Sequence, residues 1–247
     1  MAELGECQDY LVDQTLSCMI KADCFITNGV SHRNGFRGPH LTMPKSGERE
    51  ILSKVRDMLD TAKFGLADLV GDDPGRSLAG LMNVATFGRA VTNVLQNLRS
   101  VTPDFDKWYV QKQELMRQNT VCKHFYRIRT EILKQGTLNT AVSVHAFDSP
   151  GSAEDIFAAA GPKPPGATGV VLGDRFGGNG WLVPQADGSS KVFYRSFPSS
   201  LARTTLVFRN ETCDPELRGR SVGDLAAEYL AYLESLVDEA QYVFIDS

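Results

Sequence analysis

The chain has no run of about eighteen apolar residues that could cross a bilayer as a helix, which removes the transmembrane class. Its first residues, MAELGECQDYLVDQ, are acidic where a secretory leader is basic and then apolar. A cytoplasmic location without membrane association is therefore expected. There is no internal repeat and no low-complexity tract, and nucleophile elbow, metalloprotease pair and dinucleotide fingerprint are all missing. The five cysteines are odd in number and irregular in spacing (Cys7, Cys18, Cys24, Cys122, Cys213), so they fit reduced thiols and not a disulfide framework.

What is present suits a soluble globular protein. With 247 residues, 42% hydrophobic and 23% charged, the chain can bury a sizeable core in one large domain or two small ones. The net charge of −4 conceals an asymmetry. From Lys107 to Gly136 seven basic residues stand against two acidic ones, and from Cys213 to Ser247 eight acidic residues stand against two basic ones. Patches of opposite sign can meet within one chain, between subunits or on a foreign partner such as nucleic acid.

Helical periodicity begins after Pro44-Lys45-Ser46-Gly47, with Ile51, Val55, Met58, Leu59, Ala62, Leu66 and Leu69 at three- and four-residue spacing. Gly71 to Gly75 stops it, and a second helix is expected over 77–100, with Gly80, Ala85 and Gly88 permitting close approach. Pro103 with Asp104 and Asp106 suits the start of a third helix. The fourth is expected over 120–135, capped by Gly136. Beyond Gly136 the period drops to two, and short strands are expected at 142–146, 169–172, 181–183, 191–197 and 204–209. Ala186-Asp187-Gly188-Ser189 marks a hairpin. Ser221 to Asp224 then opens a last helix with one apolar stripe. The fold class that follows is α+β. It has an N-terminal arm (1–45), a four-helix bundle (46–136), and over 137–247 a small antiparallel β-sheet covered by a C-terminal helix. Within the arm, 10–26 could form a helix and 28–44 an exposed loop.

The most informative segment is Phe125 to Gly136, FYRIRTEILKQG. At about 100° per residue Val121, Phe125, Ile128, Ile132 and Leu133 share a face, and Arg129 falls among them. A guanidinium keeps its charge on burial, so Arg129 is expected to need a carboxylate, carbonyls, a second subunit or a ligand.

Four antiparallel helices ending in an Arg-Asn-x-x-x-His signature mark the HEPN superfamily. Residues Ile128 to Gly136 resemble that signature in spacing and in the apolar pair before its last position. The resemblance covers residues 49–136 at most. It implies a helical homodimer and, for many members, endoribonuclease activity in toxin, antitoxin and antiviral systems. Thr130 stands at the usual polar position, and Lys134 stands where the histidine belongs. Metal-independent RNA cleavage needs a base near neutral pH, a task suited to a histidine pKa of about 6.5 and not to an ordinary lysine near 10.4. A site built on Lys134 is thus degenerate. The pair Arg117 and His124 offers another route, although His124 falls on the polar side of the fourth helix.

Catalytic candidates are therefore Arg117, His124 and Arg129. Lys123, Arg127 and Lys134 are candidate ligand or nucleic-acid contacts from the basic helices. Arg175 and Trp181 join them from an aromatic run that could stack bases, set against the alternative that its aromatics fill the core. Cys18, Cys24, His32 and His40 match no compact zinc spacing, and Gly173 to Gly180 lacks the lysine and following helix of a phosphate loop. No metal and no cofactor are expected. The expected function is a non-catalytic dimerising interaction or nucleic-acid-associated module, with RNA or a protein as partner. The alternatives are a metal-independent endoribonuclease of a toxin or defence system, and a small-ligand sensor using the glycine-rich loop.

Overall fold

The structure, a computed structural model, describes residues 46–146, 158, 161–196 and 202–246. The expected arm, including its helix and its Cys and His residues, lies outside the described residues. The fold is α+β, as expected.

Helix α1 (Ser46–Val70) buries Leu52, Val55, Leu59, Ala62 and Leu69 along one stripe. Asp73 caps α2 (Pro74–Leu95) by accepting from the Gly75 amide at 3.0 Å, and Pro74 occupies the first turn, where a missing N–H costs nothing. The expected continuation to Ser100 is a 3₁₀ turn, Gln96–Ser100. Helix α3 (Phe105–Gln118) meets α4 (Thr120–Gln135) at Asn119, whose Oδ1 accepts from the Cys122 amide at 2.9 Å. Gly136 ends α4 in the left-handed region, φ 64°. Strands β1 (Thr140–Ala146), β2 (Gly169–Val171), β3 (Gly180–Pro184), β4 (Ser190–Tyr194) and β5 (Ala202–Phe208) precede helix α5 (Val222–Gln241), which Ser221 caps. Among the described residues no helix is long and apolar enough to cross a membrane.

Among the described residues the strands form two sheets, where a single one was expected. β1 pairs antiparallel with the distant β5, Val142 opposite Leu206, whereas β2, β3 and β4 form a meander turned at Gly188. Period-two alternation reports which face of a strand is buried but not which strand lies beside it. The two sheets touch at Gly173, where an added Cβ would lie 2.8 Å from Val142.

Helix α5 also does more than cover a sheet. It touches β5, but it packs chiefly on α1, α2 and α4, and one hydrophobic cluster runs from Leu52 on α1 through Phe125 and Phe208 to Phe244. The bundle around α4 is thus closed by a helix from the far end of the chain.

Candidate functional site

Helix α4 presents three different surroundings, and these decide what each candidate residue can do. Val121, Phe125 and Ile128 point into the bundle, where the Phe125 ring stacks on Tyr229 of α5 at 4.5 Å and 4°. Leu133, expected on that apolar face, is 57% exposed, because the bundle does not extend over the last turn of α4. Arg129 is half-buried beside this face, and its Nε is buried without a hydrogen-bond partner. No carboxylate among the described residues pairs with it.

His124 is a correction. Expected on the polar side, it is buried at 2% exposure and its ring meets Phe208 of β5 at 4.4 Å. The bundle alone would leave this side of α4 wet, and the β1–β5 sheet covers it. Arg127 Nη2 lies 2.7 Å from His124 Nδ1 and also donates to the Thr212 carbonyl. A carboxylate contact, to Glu131 at 4.0 Å, completes the surroundings of Arg127. Burial, then the Arg127 charge, push the His124 pKa down to about 4 against a smaller upward pull from Asp214. Arg127 is accordingly engaged within the chain, and His124 is neutral near pH 7.

The third side of α4 opens on a cleft of about 430 Å3 between α2, α3, α4 and α5. Lys123 and Tyr126 of α4, Arg117 of α3 and Arg89 of α2 line it over a floor that includes Tyr229. Arg117 and Lys123 are therefore brought together, as two of the expected contacts. At about 100° per residue, His124 lies roughly opposite the mean direction of Cys122, Lys123 and Tyr126, so it does not join them. The cleft contains three cations and its lining has no carboxylate. Cys122, also on its wall, has its thiol pushed up to about 12, mainly by burial, and is not a thiolate nucleophile near neutrality.

Part of the basic surface is spent within the chain. Lys112 of α3 pairs with Glu239 of α5 at 2.6 Å, and Arg56 and Lys63 of α1 pair with Asp238 at 2.9 Å and Glu234 at 2.5 Å. The acidic C-terminal helix thus meets basic residues intramolecularly. Arg117 retains only an exposed 3.6 Å contact with Glu114, and Lys123 has no ion pair among the described residues. Lys134 is exposed at the end of α4, away from the cleft lining.

Trp181 does not stand exposed as part of a stacking platform. Trp181 is buried with Ala167 in the small core of the three-stranded sheet, because its strand position faces inward. Arg175 is exposed and lies over its neighbour Phe176, 4.4 Å from the ring. The glycine-rich loop closes on its own aspartate: Asp174 Oδ1 accepts from the Phe176 and Gly178 amides, both at 2.9 Å, and Oδ2 accepts from Tyr194 at 2.7 Å. Those amides are not available to a phosphate. Among the described residues no cluster of three metal-ligating side chains occurs.

Arg89, Thr92, Tyr126 and Tyr229 were not among the expected site residues. Arg89 breaks an otherwise apolar and small run, Gly88 to Val91, which was the one available signal.

Residues 70–148 match the family described as Bacteriophage lambda protein ea47. The matched segment is about a third of the chain, from the end of α1 through β1, and it contains Arg89, Arg117, Lys123 and Tyr126 of the cleft. Neither a curated protein nor a solved structure matches.

Proposed function

We propose that the chain is a non-catalytic, nucleic-acid-associated module that holds phosphates with the cations of the cleft, on a helical scaffold similar to that of HEPN domains. The observation that carries this reading is the convergence of Arg89, Arg117 and Lys123 on one cleft without a lining carboxylate. In a protein of net charge −4, three cations placed together, Arg89 and Lys123 without an ion pair among the described residues, supply a local attraction for polyanions that the overall charge opposes. Non-catalytic is the part supported by His124, which is turned away from the cleft and, with its pKa pushed down to about 4, is a weak base. A homodimer belongs to the same proposal, supported by large apolar side chains left in solvent on separate helices, Phe64 at 72% on α1 and Leu133 on α4.

Fluorescence anisotropy with a labelled single-stranded RNA tests the reading. Three phosphate contacts should give a slope of about −2 in log K against log salt, at about 0.7 per contact. The charge-reversed double variant Arg117→Glu, Lys123→Glu should weaken binding by more than about tenfold. Absence of binding in low salt, or binding indifferent to the double variant, would reject it.

A further inference from the structure

The Arg89 side chain organises the cleft. Its Nη1 donates to Thr92 Oγ1 at 2.9 Å, and its guanidinium carbon stands 5.2 Å from the centre of the Tyr126 ring. Thr92 is itself buried at 2% exposure, and its hydroxyl donates to the Arg89 carbonyl at 3.0 Å. Arg89 is thus fixed by a hydroxyl and a ring and not by a carboxylate, so its charge is uncompensated among the described residues. A guanidinium has five N–H donors, and this arrangement leaves several for a ligand.

The floor adds a second anchored group. Tyr229 is clamped between the stacked Phe125 ring and Gly88, where an added Cβ would lie 2.5 Å from Tyr229 Cε1. Its hydroxyl makes no hydrogen bond within the described residues, and the ring lines the cleft. The neighbouring Tyr109 hydroxyl, by contrast, is spent on the Thr92 carbonyl at 3.2 Å. Above the floor, Tyr126 is 55% exposed and retains ring surface for a planar group.

We infer that this cleft is a site for a phosphomonoester carried on a nucleoside, taken either from a free mononucleotide or from the phosphorylated end of a strand. The inference deepens the nucleic-acid reading and rests on the same cations. A terminal phosphate carries about −1.5 to −2 charges near neutral pH, against −1 for each backbone diester, and so matches three converging cations better. The cleft volume of about 430 Å3 falls in the range of small-molecule sites. Tyr126 and the apolar part of the floor suit a base, because stacking on an aromatic ring tolerates any base.

Calorimetry with the four nucleoside monophosphates, their nucleosides and inorganic phosphate, alongside anisotropy with short RNAs bearing a 5′-phosphate or a 5′-hydroxyl, tests the inference. A mononucleotide should bind at least about tenfold more tightly than its nucleoside, a difference of about 1.4 kcal/mol. The double variant Arg117→Gln, Lys123→Gln, both at exposed positions, should remove that advantage. Tyr126→Ala should weaken the mononucleotide more than it weakens inorganic phosphate, because the ring would stack the base as well as hold Arg89. Preference for the 5′-phosphorylated RNA supports a strand end as the source, and mononucleotide binding without that preference supports the free nucleotide. Equal binding of both RNAs with no mononucleotide bound overturns the inference and leaves the nucleic-acid reading standing. A mononucleotide bound with no RNA bound overturns the nucleic-acid reading alone. Binding of neither overturns both.

Discussion

Gly65 of α1 and Gly80 of α2 face each other backbone to backbone: a Cβ on Gly80 would lie 2.5 Å from the Gly65 carbonyl oxygen, and one on Gly65 would lie 2.8 Å from the Gly80 oxygen. The obstructing atoms are main chain and, for Gly65, also the Asn83 Cβ at 2.7 Å, none of which moves in a rotamer change. Both helices hold their places around α5, and α2 carries Arg89 to the cleft from this crossing.

Alanine at either glycine should therefore destabilise by about 1–3 kcal/mol through overpacking, despite alanine's better helix propensity. Urea denaturation measures it. An unchanged midpoint in both variants would mean that the two helices are farther apart than described.

Helix ends with a strong local cause were legible. Asn119, Gly136 and Ser221 act on the residues beside them, and α4 was expected over the same span, Thr120–Gln135, that it occupies, whereas α2 starts at Pro74, a residue read as part of the break before it. Strand pairing was not legible, since β1 and β5 are joined only through contacts made after the intervening chain has folded. The same limit applies to His124. Its burial depends on Phe208, more than eighty residues away, which no helical wheel of α4 can include. Half of the cleft was visible as a basic run holding Arg117 and Lys123. The other half was not, because Arg89 and Tyr229 reach it from α2 and α5: a lone charge in the run Gly88 to Val91 was the one signal for Arg89, and Tyr229 lies within the apolar stripe of its helix.

Stability should fall on acidification through His124. Its folded pKa, about 4, lies below the unfolded value near 6.5, so the unfolded chain takes the proton first. The contribution is fully present above about pH 6.5, is lost progressively down to about pH 4, and amounts to at most about 3 kcal/mol. Denaturation of the wild type and His124→Phe at pH 7, 5.5 and 4.5 isolates it from other titrating groups. Parallel pH profiles for the two proteins would show that the histidine is not buried neutral.

Arg129 is held half-buried with an orphan Nε. Leaving a buried donor unsatisfied costs about 1–3 kcal/mol, whereas a methionine retains most of the packing of the alkyl stem without that donor. Arg129→Met should thus be as stable as the wild type or more stable by about 1 kcal/mol. Arg129→Ala loses the packing and should be less stable than either. A large loss in the methionine variant would point to a charge partner for the guanidinium, supplied by a second copy or by the residues outside those described.

RNA cleavage is expected to be absent. The reaction without metal needs a group that accepts the 2′-hydroxyl proton near neutral pH, beside groups that hold the phosphate. Here the phosphate-holding candidates, Arg117 and Lys123, line the cleft, while His124 faces Phe208 on the far side of α4 with its Nδ1 already taken by Arg127. In a single-turnover assay at pH 7 with EDTA and structured RNAs, the wild type and His124→Ala should both match the buffer control. Cleavage by the wild type that His124→Ala removes by a factor of about a hundred or more, the usual cost of losing a general acid or base, would overturn the non-catalytic reading. Such a result would also require α4 itself to rearrange, because His124 lies on the side of that helix away from the cleft, and moving the β1–β5 sheet would expose it without turning it towards Arg117.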